Sequence, residues 1–374
     1  MKSSSRHKVA IVVGLGAYND LGVVRSCGEA GMKVVLLAPG SMIIPIYRSR
    51  HVDLWLDTDT SSEADLLRAL EIVSESYKGM DLVLFPTGDP QAVIINRYKK
   101  ILSVKFMVPG IDGVMEKAMD KLEMSRIAKN SGMKVPHTEL HHTIQMSASQ
   151  LSYPCIIKPA ASILGAKSDI AICHTVEQGT DALNLFRKHS TESVIVQDFI
   201  DGEGQYEIAV PGVCLENGNI IIGGYLRKHR TFGNGSTVYA TYIPEIANAL
   251  SESVKRYISA VGYKGIFDLE FLVNKDGAFF IECNYRNGAY GYVATKAGLN
   301  LPAFYAGVAE LPAKRLKKLT MMEERADILN ALSGRISKMS WFWQMITADV
   351  HLWWSFRDPM PTLAHYLRKL GFKM

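Results

Sequence analysis

The residues best suited to chemistry lie between Phe267 and Arg286. Phe267-Asp268-Leu269-Glu270-Phe271 comes first, then Asn274-Lys275-Asp276-Gly277, then Phe279-Phe280-Ile281-Glu282-Cys283-Asn284-Tyr285-Arg286. Two alternating runs about a glycine-containing turn predict a β-hairpin. The period of two puts Asp268 and Glu270 on one face of the first strand, and Glu282, Asn284 and Arg286 on one face of the second. A turn near Asp276 sets Glu270 opposite Glu282 and Asp268 opposite Asn284. Like charges opposed on a sheet repel, and the Phe, Leu and Ile of the other face shield these strands from water. A positive group must offset them. A hard divalent cation does so most simply, because Mg²⁺ takes one or two carboxylates together with phosphate oxygens and water. The alternative is a solvated hairpin whose polar face meets bulk water.

Basic residues elsewhere suit an anionic ligand. Lys158 ends the strand-like run Pro154-Cys155-Ile156-Ile157-Lys158-Pro159. Arg227-Lys228-His229-Arg230 leads into a glycine-flanked turn, with Arg227 and His229 on one face and Lys228 and Arg230 on the other. Lysines act on phosphate as mobile point charges, although any one of them can equally be a solvated surface charge. There is no convincing Ser-His-Asp or Cys-His arrangement, so a covalent protein nucleophile is not expected.

The elements that position these groups read as follows. From Val9 to about Val108, apolar runs (Val9 to Val13, Val34 to Leu37, Leu82 to Phe85) alternate with helical patterns (Val23 to Ala30, Ala64 to Ser76), which predicts an α/β parallel sheet. Gly14-Leu15-Gly16 at the first turn could cradle a phosphate, but it lacks the dinucleotide fingerprint, and a tight turn is the favoured reading. A helix is expected from Lys117 to Ser131. From Pro154 to Glu282 strands dominate, with antiparallel pairing, and Glu245 to Val261 is a further helix. From Leu311 onward the pattern is helical, basic and rich in tryptophan.

The chain has 374 residues, a net charge of +5 and 48% hydrophobic residues. That length suits two or three subdomains about a cleft, and the small, dispersed charge argues against nucleic acid. Five cysteines, Cys27, Cys155, Cys173, Cys214 and Cys283, have no metal-ligand spacing, which points to a reducing cytoplasm. Asp349 and His351 interrupt the aromatic tail, so Trp341, Trp343, Trp353 and Trp354 are expected to pack on the body or on a partner subunit. The full chain is then expected to ignore liposomes, and deletion of residues 339–374 to destabilise it. A peripheral membrane contact is the sharper alternative.

An acidic strand followed by Glu282-Cys283-Asn284-Tyr285-Arg286 resembles the ATP-grasp superfamily signature, a Glu-x-Asn-x-Arg strand after an acidic one. Family members often carry proline where Tyr285 stands. The resemblance implies that Asp268, Glu270, Glu282 and Asn284 hold Mg²⁺, with Mn²⁺ able to substitute, and that Arg286 faces the transferred phosphoryl group. Asp120-Lys121 and the later Gly132, Val135, Pro136 and Thr138 are similar to the family's first lysine helix and its exit into the nucleotide lobe. Lys158 is similar to the second nucleotide lysine, and Ala160 to Asp169, including Gly165, to the mobile phosphate loop. By the same resemblance Gln197, Phe199 and Ile200 would form the adenine hinge and Glu207 would bind the nucleotide or its ribose. Lys228 and Arg230 would be the basic pair at the reacting groups.

The similarity runs from about Val9 to Leu301 and is nearest to carboxylate-amine ligases that resemble D-aspartate ligase. It implies an α/β N-terminal parallel-sheet domain (1–115), an ATP-grasp fold of two lobes clasping ATP (116–202 and 203–310) and a helical C-terminal appendage (311–374). The implied activity is ATP-dependent joining of a small-molecule carboxylate and an amine through an acyl phosphate. The partners would be amino acids or peptides, and a homodimer is left open. Carboxyphosphate-type chemistry and a non-catalytic nucleotide sensor are the alternatives.

Overall fold

Lys8–Val13 is a run of aliphatic residues, buried after its first position, and it forms the middle of a parallel sheet as covered parallel strands require. The structure, a computed structural model, describes residues 7–41, 45–160, 170–200, 204–233, 236–310, 312 and 314–371. The first unit contains β1 (Lys8–Val13), α1 (Tyr18–Glu29), β2 (Lys33–Ala38), β3 (Leu54–Asp57), α2 (Glu63–Ser76), β4 (Asp81–Pro86), α3 (Asp89–Arg97), α4 (Lys99–Leu102) and β5 (Phe106–Met107). Its strands lie in the order β3-β2-β1-β4-β5, all parallel.

Next come α5 (Met115–Ala118), α6 (Lys121–Asn130), β6 (Thr138–His142), β7 (Cys155–Pro159), β8 (Ala171–Cys173), α7 (Val176–Lys188) and β9 (Ser193–Asp198). The strands make a small antiparallel sheet in the order β6-β9-β7-β8. The single helix expected from Lys117 to Ser131 is two. Asp120 stays extended between them because its carboxylate caps α6, accepting from Leu122 N at 3.0 Å and Glu123 N at 2.9 Å. Met115, Ala118, Met124 and Ala128 pack in one core with Phe267 and Phe280. The helix carrying Lys121 therefore sits on the large sheet.

The rest is β10 (Tyr206–Cys214), β11 (Ile220–Ile222), β12 (Tyr225–Phe232), β13 (Ser236–Ile243), α8 (Asn248–Val261), β14 (Gly265–Asn274), β15 (Gly277–Asn284), α9 (Gly291–Ala297), α10 (Leu301–Tyr305), β16 (Leu319–Met322), α11 (Glu324–Leu332), α12 (Lys338–Thr347), β17 (Val350–His351) and α13 (Met360–Lys369). The large sheet runs β15-β14-β10-β12-β13-β16-β17, with β11 beside β10.

The tail is mainly helical, with α11, α12 and α13, and its short strands β16 and β17 extend the large sheet. Trp353 is buried, edge-on to Tyr18 at 5.5 Å. The fully buried Arg25 of α1 donates to Asp358 Oδ2 at 3.0 Å and to the carbonyls of Leu352, Trp353 and Asp358. Asp358 also accepts from Ser49 Oγ at 2.8 Å and Arg50 N at 2.9 Å. Trp343 departs from the expected packing, being 66% exposed. No helix among the described residues is long and apolar enough to cross a membrane.

Candidate active site

In the hairpin, Asp268 pairs with Asn284 and Glu270 with Glu282, the register that the Asn274 to Gly277 turn dictates. A bulge after Glu270 shifts the ladder, so Phe271 meets Phe280 and both rings turn into the core. Asp268 is buried. Its Oδ2 accepts from Tyr290 Oη at 3.0 Å, and the same hydroxyl lies 3.3 Å from Glu270 Oε1. Its Oδ1 is buried without a hydrogen-bond partner. Burial and then the Glu270 charge push the Asp268 carboxyl up to about 7.

The compensating charge comes partly from the chain itself. Lys228 Nζ, on β12, donates to Glu270 Oε2 at 2.5 Å and to Glu207 Oε2, on β10, at 2.9 Å. Burial pulls the Lys228 ammonium down, but the charges of Glu270 and Glu207 outweigh it and hold its pKa above the usual lysine value. Lys228 answers Glu270, while Asp268 Oδ1 stays buried without a hydrogen-bond partner.

The small sheet brings up Lys158, and α6, packed on the large sheet, brings up Lys121. Lys158 Nζ donates to Gln197 Oε1 at 3.0 Å, and Gln197 Nε2 donates to Thr138 Oγ1 at 3.0 Å. Lys158 is lowered to about 8, by burial first and next by the Lys121 charge, with Glu282 opposing. Lys121 is lowered by burial, against the pull of Glu282 and Asp120. Lys121, Lys158 and Glu282 therefore share one electrostatic neighbourhood across the two sheets. The Phe199 amide donates to Pro154 O at 3.2 Å and its ring meets His174 edge-on at 5.5 Å, with Ile200 half-buried beside it. Gly165 and the loop around it lie outside the described residues.

Two arginines are held by acids the sequence did not single out for them. Arg286 Nε donates to Asp89 Oδ1 at 2.7 Å, beyond the end of β4, and Nη2 donates to Asn284 Oδ1 at 3.1 Å. Arg230 forks onto buried Asp327 of α11 at 2.6 and 2.5 Å and reaches Gln344 of α12 at 3.0 Å. Arg230 is directed away from the acidic cluster that Lys228 joins. Arg227 and His229 occupy the other face of β12, Arg227 over the Tyr206 ring at 4.0 Å and His229 Nε2 2.8 Å from Thr241 Oγ1.

The glycine turn after β1 is filled by the chain. Asp20 accepts from Gly16 N at 2.6 Å, Ala17 N at 3.1 Å and Thr87 Oγ1 at 2.5 Å. A Cβ on Gly14 would lie 2.2 Å from the Asp20 carboxylate, and Gly16 has φ +83°. The turn reading holds, with a carboxylate where a phosphate would otherwise sit.

Sequence reasoning missed Tyr290, Asp327 and Gln344. Tyr290 follows the signature strand directly, and its place after Asn287-Gly288-Ala289 was the one available signal. Among the described residues no group of three or more His, Cys, Asp and Glu side chains forms a ready metal cage. Mg²⁺ bound by one or two carboxylates and substrate phosphate needs no such cage, and the unpartnered Asp268 oxygen beside Glu270 and Asn284 fits that hard-oxygen donor set.

A parallel-sheet unit, a small antiparallel lobe carrying Lys158 and a large sheet carrying paired acids make up the ATP-grasp fold, which similar solved structures share. Residues 126–292 match the family described as D-ala D-ala ligase C-terminus. The solved N5-carboxyaminoimidazole synthetase of Staphylococcus aureus in complex with ADP is similar, with TM-score 0.66 and 17% identity, covering 88% of this chain and 86% of that one. The L-amino acid ligase of Bacillus licheniformis has TM-score 0.61 and 16% identity, covering 84% and 78%. Among curated proteins, the carbamoyl phosphate synthase large chain of Neisseria meningitidis serogroup A is 22% identical over 182 residues, 46% of this chain and 16% of that protein. The chain thus spans about a sixth of the length of that relative.

Proposed function

We propose that the chain is an ATP- and Mg²⁺-dependent carboxylate-amine ligase. A substrate carboxylate attacks the γ-phosphate of ATP, giving an acyl phosphate and ADP. The amine then adds to the acyl carbon, and phosphate leaves as the C–N bond forms. The observation that carries this reading is the meeting of a lysine pair, Lys121 and Lys158, with the paired acids of β14 and β15 across the two sheets.

Lys158, oriented by Gln197, would neutralise phosphate oxygens, with Lys121 beside it. Asp268, Glu270, Glu282 and Asn284 would hold Mg²⁺, which supplies charge neutralisation on the phosphates when bound. Lys228 holds Glu270 in place, and Tyr290 aligns Asp268 with Glu270. Arg286, positioned by Asp89, would meet the transferred phosphoryl group. Positioning and electrostatics suffice, with no protein nucleophile.

A similar solved biotin carboxylase domain, bound to MgADP and bicarbonate, supports a second reading with bicarbonate as the carboxylate. One assay separates them. Phosphate release and nucleotide chromatography are run with ATP and Mg²⁺ against a panel of amino-acid pairs and against bicarbonate. ADP formed only with an amino-acid pair supports amide ligation, whereas ADP formed with bicarbonate alone supports carboxyphosphate chemistry. AMP and pyrophosphate would sink both.

A further inference from the structure

The helix α12 is fixed to the body by one side and turned outward with the other. Gln344 accepts from Arg230, and Trp341 and Met345 are half-buried, so these mark the attached side. Met339 is 78%, Phe342 51%, Trp343 66% and Ile346 57% exposed. Their spacing of three, one and three residues is a single stripe on a helix of 3.6 residues per turn. A helix on a globular surface normally turns that stripe inward. The ground for expecting packing was an interrupted stripe, and the fold removes it. Asp349 and His351 lie beyond the helix end at Thr347 and do not break the stripe. The neighbouring α11 adds exposed Leu329 and Leu332.

Charge decides what covers this face. The connection into α12 carries exposed Arg335, and α12 itself opens on exposed Lys338 and has no acidic residue. The nearby carboxylates are turned inward or already engaged. Asp327 is buried under Arg230, Glu323 accepts from Ala326 N and the Trp353 ring nitrogen, and Glu324 accepts from Trp354 N at 2.6 Å. Asp349 is exposed, but its Oδ2 accepts from Thr320 N and Thr320 Oγ1, both at 2.8 Å. That bond sets the C-terminal end of α12 beside the strand which exposed Lys317 and Lys318 precede. The apolar stripe is therefore rimmed mainly by cations. A second copy across a two-fold axis would meet this patch with the same patch, cation against cation. An anionic surface answers both the charge and the apolar stripe.

We propose that α12, with α11 beside it, docks the protein on an anionic lipid bilayer, the helix lying in the plane of the headgroups. Ten residues of helix extend about 15 Å, too short to span a bilayer and suited to lying on it. Tryptophan and phenylalanine reach the acyl boundary, and Arg335 and Lys338 meet headgroup phosphates. The proposal is independent of the ligase reading, because none of these residues belongs to the acid and lysine cluster.

The test is vesicle co-sedimentation of the full chain, with sedimentation velocity of the protein alone. Vesicles of phosphatidylcholine with about 30% phosphatidylglycerol should pull the protein down, pure phosphatidylcholine should do so poorly, and raised salt should release it. Phe342→Ser combined with Trp343→Ser should lower the bound fraction about tenfold at an unchanged melting temperature, and Lys338→Glu should lower it severalfold. No binding by the wild type overturns the proposal. So does binding that the double variant retains, which would trace it to scattered lysines. A dimer that the double variant dissociates would assign the stripe to a second copy instead.

Discussion

Two buried aspartates stand at the two places where this chain could meet phosphate, and they are treated oppositely. Asp20, in the glycine turn of the parallel sheet, takes two backbone amides and the Thr87 hydroxyl. Asp268, on the large sheet, takes one tyrosine hydroxyl, leaves Oδ1 without a partner, and has Glu270 beside it. The first anion completes its surroundings and closes the turn to a ligand. The second is an unfinished polar group, costly when empty and suited to an incoming cation. Burial alone does not tell a structural carboxylate from a ligand-binding one, whereas the count of donors aimed at it does.

Substitutions should separate the pair, and the largest effect is expected at the hairpin. Glu282→Gln should lower Mg²⁺-dependent phosphate release by roughly a thousandfold with the fold intact. Near-normal turnover by that variant would remove the metal assignment. Because Lys121 and Lys158 feel the Glu282 charge, its loss should change apo stability little.

Next in size is the cost of breaking a finished site. Asp20→Ala leaves two amides and a hydroxyl without their acceptor, and a loss of about 2–4 kcal/mol is expected by chemical denaturation. Arg25→Ala strands the Asp358 carboxylate in the interior and should cost about 3–5 kcal/mol. An Asp20→Ala protein as stable as the wild type would erase the contrast with Asp268.

Asp268→Asn should do the reverse, losing Mg²⁺-dependent nucleotide binding while keeping or gaining apo stability. The pH dependence carries the same sign. A carboxyl whose folded pKa is raised to about 7 makes the folded state bind more protons than the unfolded chain between its ordinary value and 7. Its contribution therefore lowers stability as pH rises through that window. The difference in melting temperature between Asp268→Asn and wild type should grow from about pH 4 to pH 7. A constant difference would show that Asp268 is ionised throughout.

The smallest effect concerns the facing lysine. With Lys158 lowered to about 8, its charge is present below that pH and lost above it. Nucleotide affinity, followed by fluorescence or calorimetry, should weaken above pH 8. Lys158→Arg should flatten that limb, because guanidinium stays charged.

How much of this was readable in advance follows from distance along the chain. The hairpin register was legible because a short turn and a period of two leave one pairing that keeps Phe267 and Phe271 inside. Lys158 was legible as a strand end for the same reason. Tyr290 with Asp268, Asp89 with Arg286 and Asp327 with Arg230 are side-chain meetings that no local pattern encodes, the last two far apart in sequence. The strands β16 and β17 are too short to show alternation. The stripe of α12 was obscured because residues past Thr347 were counted in one helical phase with those before it.

The ion pair between Arg25 and Asp358 also bears on the order in which the molecule can be completed. Its partners are 333 positions apart, so at ribosomal speeds of ~5–20 residues per second Arg25 waits about 15–70 s for its counter-ion. Until then α1 carries a cation bound for the interior with no anion to meet it, and the parallel sheet, although made first, lacks the about 3–5 kcal/mol that rides on this pair. Premature termination anywhere before Asp358 would release a species whose earliest domain is still unfinished, a ready client for chaperones and proteases.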